Sequence, residues 1–161
     1  MSVSPRLKEL LDAGKTEYQT HTHAAAYTAR QTASAAHVPT MQLAKTVIVN
    51  ADGLLRMAVL PADCMLNLRH LQWVTRAETI RLATENEFKD AFPGCELGAM
   101  PPFGNLYGLP VFCDSRLGYN EFIEFNAGTH TDTIRMTFAD FRRLVSPTMI
   151  DLTDHHPRRV A

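Results

Sequence analysis

Lysine is scarce in this chain: four residues against twelve arginines, in 161 residues that carry 16 basic and 17 acidic side chains. A formal net charge of −1 excludes a uniformly basic nucleic-acid binder, yet it leaves room for a local cationic face. The arginine bias favours bidentate recognition of carboxylate or phosphate, or else reflects codon usage alone. No apolar run approaches the ~20 residues of a membrane helix, so no membrane partner is expected. The opening stretch MSVSPRLKELLDAGK is amphipathic and charged and lacks the apolar core of a signal peptide, which makes the cytosol the expected location. The three cysteines, Cys64, Cys95 and Cys113, are widely separated and offer neither a disulfide framework nor a CxxC metal knuckle. GxGxxG and Walker loops, a GxSxG elbow and HExxH are all missing, which removes the usual nucleotide, serine-hydrolase and zinc-protease signatures.

What is present reads as one domain over residues 1–161, with a core of about 4–145 and a frayed tail over 146–161. Ser4-Pro5 starts a helix that Gly14 ends, and a short strand over 17–20 follows. Thr28 to Gln31 fits a capping box for a small Ala-rich helix that stops before Val38-Pro39. Residues 46–49 and 54–60 flank the turn Asn50-Ala-Asp-Gly53 and read as a hairpin. Asp63 is the expected cap of a helix running to Leu71, followed by a strand over 80–82 and a second capping box at Thr84 to Glu87. Residues 95–110 form a turn-rich connection with six large apolar side chains, too apolar for a solvated linker. Strands are expected over 111–114, 121–126 and 131–136, then a helix over 138–145 capped by Thr137. Helices and strands interleave while two strand pairs are hairpins. The fold class is therefore α/β, mixed α+β, with a curved, partly barrel-like central sheet flanked by helices.

Lys45 stands directly before the most apolar strand, where a cation is costly unless it snorkels or faces a cleft. Gly98 and Gly104 bracket Pro101-Pro102: glycine allows close backbone approach and proline stiffens the turn, in a ligand loop or in an ordinary tight turn. His130 and Asp132 are two apart, so an extended segment would place them on one face. His21-Thr-His23 invites a metal reading with His130 and Asp132, but no scaffold motif supports it, and neither metal nor cofactor is expected. His21 and Tyr27 fit a pocket rim between the first strand and the second helix.

Three stretches taken in order resemble the YbaK/EbsC family, which includes the editing domain found within or beside prolyl-tRNA synthetases. They are Ala44-Lys45-Thr46 leading into Val47-Ile48-Val49, Gly98-Ala-Met100-Pro101-Pro102-Phe103-Gly104, and Asn126-Ala-Gly-Thr-His130-Thr-Asp132 running on to Phe141. Ala62 to Arg69 supports the match, which spans nearly all of residues 4–145. The resemblance implies hydrolysis, in trans, of amino acids wrongly esterified to tRNA, with water as nucleophile assisted by the neighbouring ribose hydroxyl. It places Lys45, Gly98 and His130 in the catalytic site. Lys45 contacts the acceptor end, the Gly98 loop holds the carbonyl, and His130 acts as a base or positions the ester. Thr46, Met100, Pro101, Pro102, Phe103, Gly104, His21, Tyr27 and Asp132 become substrate-binding candidates. The implied partner is the acceptor end of mischarged tRNA, with DNA excluded and the chain a monomer or weak homodimer. The rival reading is a non-catalytic module that binds the tRNA end or a free amino acid.

Overall fold

A computed structural model describes residues 3–153. Eight strands form one mixed sheet: β1 (Tyr18–Thr22), β2 (Leu43–Ala51), β3 (Leu54–Pro61), β4 (Ile80–Leu82), β5 (Val111–Asp114), β6 (Phe122–Asn126), β7 (Asp132–Thr137) and β8 (Thr148–Ile150). Their order is β1-β7-β6-β2-β3-β5-β8, with β4 also paired to β2. The expected mixed α/β class holds, and the sheet is open, with β1 and β8 at its ends, so it does not close into a barrel. Five helices flank it: α1 (Pro5–Ala13), α2 (Ala29–Ala35), α3 (Leu68–Thr75), α4 (Glu85–Phe88) and α5 (Phe138–Val145).

The β2–β3 hairpin is the centre of the fold, and β2 is long enough to serve two partners along its other edge. Its first residues pair in parallel with β6, Leu43 opposite Glu124 and Ala44 opposite Phe125. Its last residues pair antiparallel with β4, Val49 opposite Leu82. Strand alternation then sorts the side chains onto two faces. Ala44, Ile48, Met57 and Val59 join the main core with Leu7 and Leu11 of α1 and Phe138 and Phe141 of α5. Val49, Ala58 and Phe112 face the other way, against Leu71 of α3 and Leu152. Leu43 shares that second face and packs under Ala33 of α2. Lys45 therefore lies on the second face, between the position covered by α2 and those covered by α3.

Both expected capping boxes form, at Thr28–Gln31 and Thr84–Glu87, and Thr137 caps α5 by accepting from the Asp140 N–H. Other boundaries move. The side chain of Asp63 does not cap α3; it accepts a hydrogen bond from Thr40 at 3.0 Å, and Asn67 caps the helix by accepting from the His70 N–H. Ser4 occupies the N-cap of α1 without a side-chain cap bond, because it is buried and its N–H donates to the Ala127 carbonyl at 2.8 Å. Gly14 does end α1, as its C-cap, and the left-handed residue is the next one, Lys15. Residues 146–153 are not a frayed tail. They carry β8, which pairs in parallel with β5, and the buried Leu152, whose carbonyl accepts the Asn67 N–H at 2.7 Å. The rest of that expected tail, 154–161, lies outside the described residues. Removing the α3 cap with Asn67→Ala should cost about 1 kcal/mol. That corresponds to a Tm lower by roughly 2–4 °C for a chain of this size. Thermal unfolding followed by circular dichroism measures it.

Candidate functional site

A row of polar side chains crosses the second face of the sheet. His21 of β1 stands opposite Thr133 of β7, and Thr133 opposite Asn126 of β6. One step past the β2–β6 ladder, Lys45 comes abreast of Asn126. Strand spacing of ~4.8 Å makes this row about 14 Å long. Below it, Glu124 is 2% exposed and accepts hydrogen bonds from the Thr133 hydroxyl at 2.5 Å and from His21 Nδ1 at 3.1 Å. The Oδ1 of Asn126 is buried without a partner. Lys45 is half-buried, and among the described residues no hydrogen bond or ion pair holds its ammonium. Burial pushes its pKa below the ordinary lysine value, and Arg30 of α2 acts in the same direction. Cys64 and Asp63 pull the other way.

The β6–β7 turn begins immediately after Asn126, and it is stitched to the glycine-rich loop. The His130 N–H donates to Glu96 Oε1 at 2.7 Å, the Glu96 N–H to the Gly128 carbonyl at 2.8 Å, and the Gly128 N–H to the Ala99 carbonyl at 2.9 Å. His130 Nε2 lies 2.9 Å from the Leu97 carbonyl. A carbonyl only accepts, so Nε2 carries the proton, and the imidazole keeps Nδ1 as its basic nitrogen when neutral. Gly98, at φ +86°, runs beside this ring: a β-carbon built there would lie 3.4 Å from His130 Cε1. Tyr27, 70% exposed, packs over His130 with ring centroids 4.7 Å apart. The Gly98 N–H is held by the thioether of Met100 at 3.2 Å, a weak acceptor that a ligand oxygen can displace. The neighbouring Ala99 N–H is committed to the Glu96 carbonyl at 3.0 Å.

The structure thus brings together Gly98, Met100, His130 and Tyr27, and sets Lys45 and His21 on one sheet face. Other candidates fall elsewhere. Thr46 alternates away from Lys45 toward the main core, because adjacent strand residues point to opposite faces. Phe103 is fully buried in an aromatic cluster with Phe125 and Phe141, centroids 5.4 Å from each. Gly104 is buried against the Leu109 backbone and Val111, and Pro101 and Pro102 are buried as well. These residues shape the loop from beneath. Asp132 does not share a strand face with His130, because β7 begins at Asp132 and His130 sits in the turn. Its carboxylate accepts from the hydroxyls of Thr129 at 2.6 Å, Thr22 at 3.2 Å and Thr131 at 3.3 Å, which fixes the turn.

Nor do His21, His23, His130 and Asp132 converge. His23 Nδ1 donates to the Ala24 carbonyl at 2.7 Å, and the other three have the separate partners just described. Among the described residues, no group of three or more His, Cys, Asp or Glu could hold a metal ion. The sequence reading missed Glu124 and Glu96. A lone acid inside the apolar strand Phe-Ile-Glu-Phe was a usable signal for Glu124. Glu96 acts through a turn contact 34 residues distant, and no local pattern marks it.

Comparison with known proteins places this geometry. Residues 23–144 match the model of the aminoacyl-tRNA editing domain. The proline–tRNA ligase of Leuconostoc citreum is 29% identical over 122 residues, covering 76% of this chain and 21% of the ligase. That of Acidithiobacillus ferrooxidans is 34% identical over 79 residues, covering 49% of this chain and 14% of the ligase. The matched part of the chain thus spans about a fifth or less of the length of these relatives. A crystal structure described as a candidate trans-editing enzyme for prolyl tRNA synthetase superposes with a TM-score of 0.80 at 21% identity, covering 96% of this chain and 100% of that one, a likeness of fold. No helix among the described residues is long and apolar enough to cross a membrane. With the matched segment running from His23 through the Lys45 strand, the Gly98 loop and the His130 turn, this chain belongs to the aminoacyl-tRNA editing domain family, of the YbaK type.

Proposed function

We propose that the protein is an aminoacyl-tRNA deacylase that acts in trans, hydrolysing the ester between a wrongly attached amino acid and the 3′-terminal ribose. The observation that carries this reading is Lys45: a half-buried ammonium with no ion pair among the described residues, beside an Asn126 carbonyl oxygen without a donor there. Such a pair is costly in an empty site and is relieved by a ligand bearing both an anion and a hydroxyl. The 3′ end of tRNA carries both.

In this reading the Lys45 ammonium binds a terminal phosphate or ribose oxygen and fixes the ester against the Gly98 loop. Water attacks the carbonyl carbon, and the developing oxyanion takes the Gly98 N–H from the Met100 sulfur. The C–O bond to the ribose breaks, the ribose oxygen takes a proton, and free amino acid and tRNA leave. His130 Nδ1 hydrogen-bonds the ester or the attacking water, its ring held by the Leu97 carbonyl and the Glu96–backbone contact. The exposed ring of Tyr27 covers the amino acid.

The direct test is deacylation of a panel of mischarged tRNAs by the purified protein. Release of amino acid from at least one member is expected. Saturable tRNA binding without release from any of them would favour the non-catalytic module. Water as nucleophile also leaves the cysteines without a chemical role. Cys113 is buried and its thiol pushed up to about 12, and burial raises that of Cys64 too. A folded variant with Cys64, Cys95 and Cys113 all changed to Ala should deacylate at a rate comparable to wild type, with or without EDTA. A trapped aminoacyl-enzyme, or zinc-restored activity after chelation, would overturn this mechanism.

A further inference from the structure

The outward side of α3 carries a surface that the chemistry above does not use. Leu71 turns inward and is fully buried, which leaves Trp73 pointing out at 77% exposure, two residues further round the helix. Trp73 is the one tryptophan in the chain. His70, one turn earlier, stacks near it with centroids 6.2 Å apart and planes 22° apart, and so orients the ring. Arg69 precedes Trp73 by four residues, the spacing of neighbours on one helix face, and Arg76 is the left-handed residue that ends α3; all three line a shallow depression. Both residues are exposed, and among the described residues neither guanidinium forms a hydrogen bond or ion pair.

The helix that carries this surface packs on the sheet face that bears Lys45. The core that α3 covers includes Val47 and Val49, on the same sheet face as Lys45 and two and four residues further along β2. The nearer of these lies about 7 Å from Lys45 along the strand. On the other side of Lys45, Arg30 projects from α2 with no ion pair. Arg30 of α2, Lys45 of the sheet and the arginines at α3 thus belong to elements on one side of the sheet, with one exposed aromatic among them. A planar aromatic between arginines is the chemistry that receives an unpaired base between two phosphates.

We propose that Trp73, Arg69 and Arg76 form a docking surface for single-stranded RNA, the nucleotides preceding the esterified 3′ terminus of tRNA. This rests on the tRNA reading above. Trp73 stacks on an unpaired base while Arg69 and Arg76 hold the phosphates on either side. The surface contributes affinity and direction, and the reacting ester stays at Lys45, Gly98 and His130.

Because Trp73 is the sole tryptophan, selectively excited tryptophan fluorescence of the intact protein reports this surface alone. Uncharged tRNA should quench it saturably, and tRNA lacking its single-stranded 3′ end should not. Trp73→Ala should weaken tRNA binding, measured by filter retention, by about tenfold, with Trp73→Phe recovering part of the loss. Changing both Arg69 and Arg76 to Ala should flatten the slope of log Kd against log salt by about 1.4, from two single-strand contacts at roughly 0.7 each. Turnover at saturating tRNA should stay at the wild-type value. Filter retention of tRNA with no fluorescence change, and wild-type affinity in all three variants, would overturn the docking surface and leave the deacylase standing. Absence of any tRNA binding by the wild-type protein would overturn both readings. A fluorescence change that follows protein concentration without RNA would identify a self-association face and overturn the proposal.

Discussion

Lys45→Met should lower the deacylation rate by roughly 10²–10³-fold, the usual effect of removing one preorganised electrostatic contact from a reacting ester. The same change should leave the Tm at or above the wild-type value. Methionine keeps the length of the side chain and removes a half-buried charge that has no hydrogen bond or ion pair among the described residues. Loss of activity with gain of stability is the signature of a group held for a ligand, and a structural lysine would lose both together. The pH dependence follows from the same burial. With its pKa held below 10.5, the folded protein releases the Lys45 proton before the unfolded chain does. Between the two values the unfolded state binds more protons, so this group makes stability rise with pH in that window, and the penalty is fully present below it. Affinity for uncharged tRNA should fall across the same alkaline window, as the ammonium loses its charge. Lys45→Met should show neither change. Wild-type turnover by folded Lys45→Met protein would remove this residue from the site.

The parts of this site that were legible in the sequence are those whose signal is local. The capping boxes at Thr28 and Thr84, the Asp52-Gly53 turn and the apolar run at Val47 to Val49 each constrain the backbone over a few residues, and each forms. Lys45 stood out because a cation beside that run is locally anomalous. What the sequence could not carry was the pairing of distant strands. The parallel contact of β2 with β6 puts Asn126 beside Lys45 and Glu124 beneath the polar row, and no pattern within either strand announces that partner. The same limit explains residues 146–153, polar enough to read as a tail until β5 supplies a ladder for β8. It also explains Thr46 and Phe103, adjacent to functional motifs in sequence but turned by strand alternation or packing into the main core.

The two glycines around Pro101-Pro102 look equivalent in sequence, and the structure separates them sharply. A β-carbon at Gly104 would lie 2.7 Å from the Leu109 carbonyl oxygen and 2.7 Å from Val111 Cγ2. The first of these is backbone, held by the Leu109 N–H bond to the Gly104 carbonyl at 2.9 Å, so it cannot swing aside as a side-chain end would. Gly104→Ala should therefore destabilise the protein by about 3 kcal/mol, at the upper end of overpacking costs. For a chain of this size that is a Tm roughly 6–12 °C lower. What protein remains folded should retain near-normal turnover, because Gly104 faces the core. Gly98→Ala meets a different obstacle. Its neighbour at 3.4 Å is the His130 ring, an ordinary contact, and its cost is the left-handed φ of +86°, about 1–2 kcal/mol for a residue with a side chain. Relieving that strain rotates the Gly98 N–H and pushes on His130, the two groups assigned to the ester. Activity should then fall by more than tenfold while the Tm drops by only a few degrees. Thermal unfolding and single-turnover deacylation on the two variants separate the effects. If Gly98→Ala lost stability but kept full activity, the loop would be a structural turn and its N–H would have no part in holding the carbonyl.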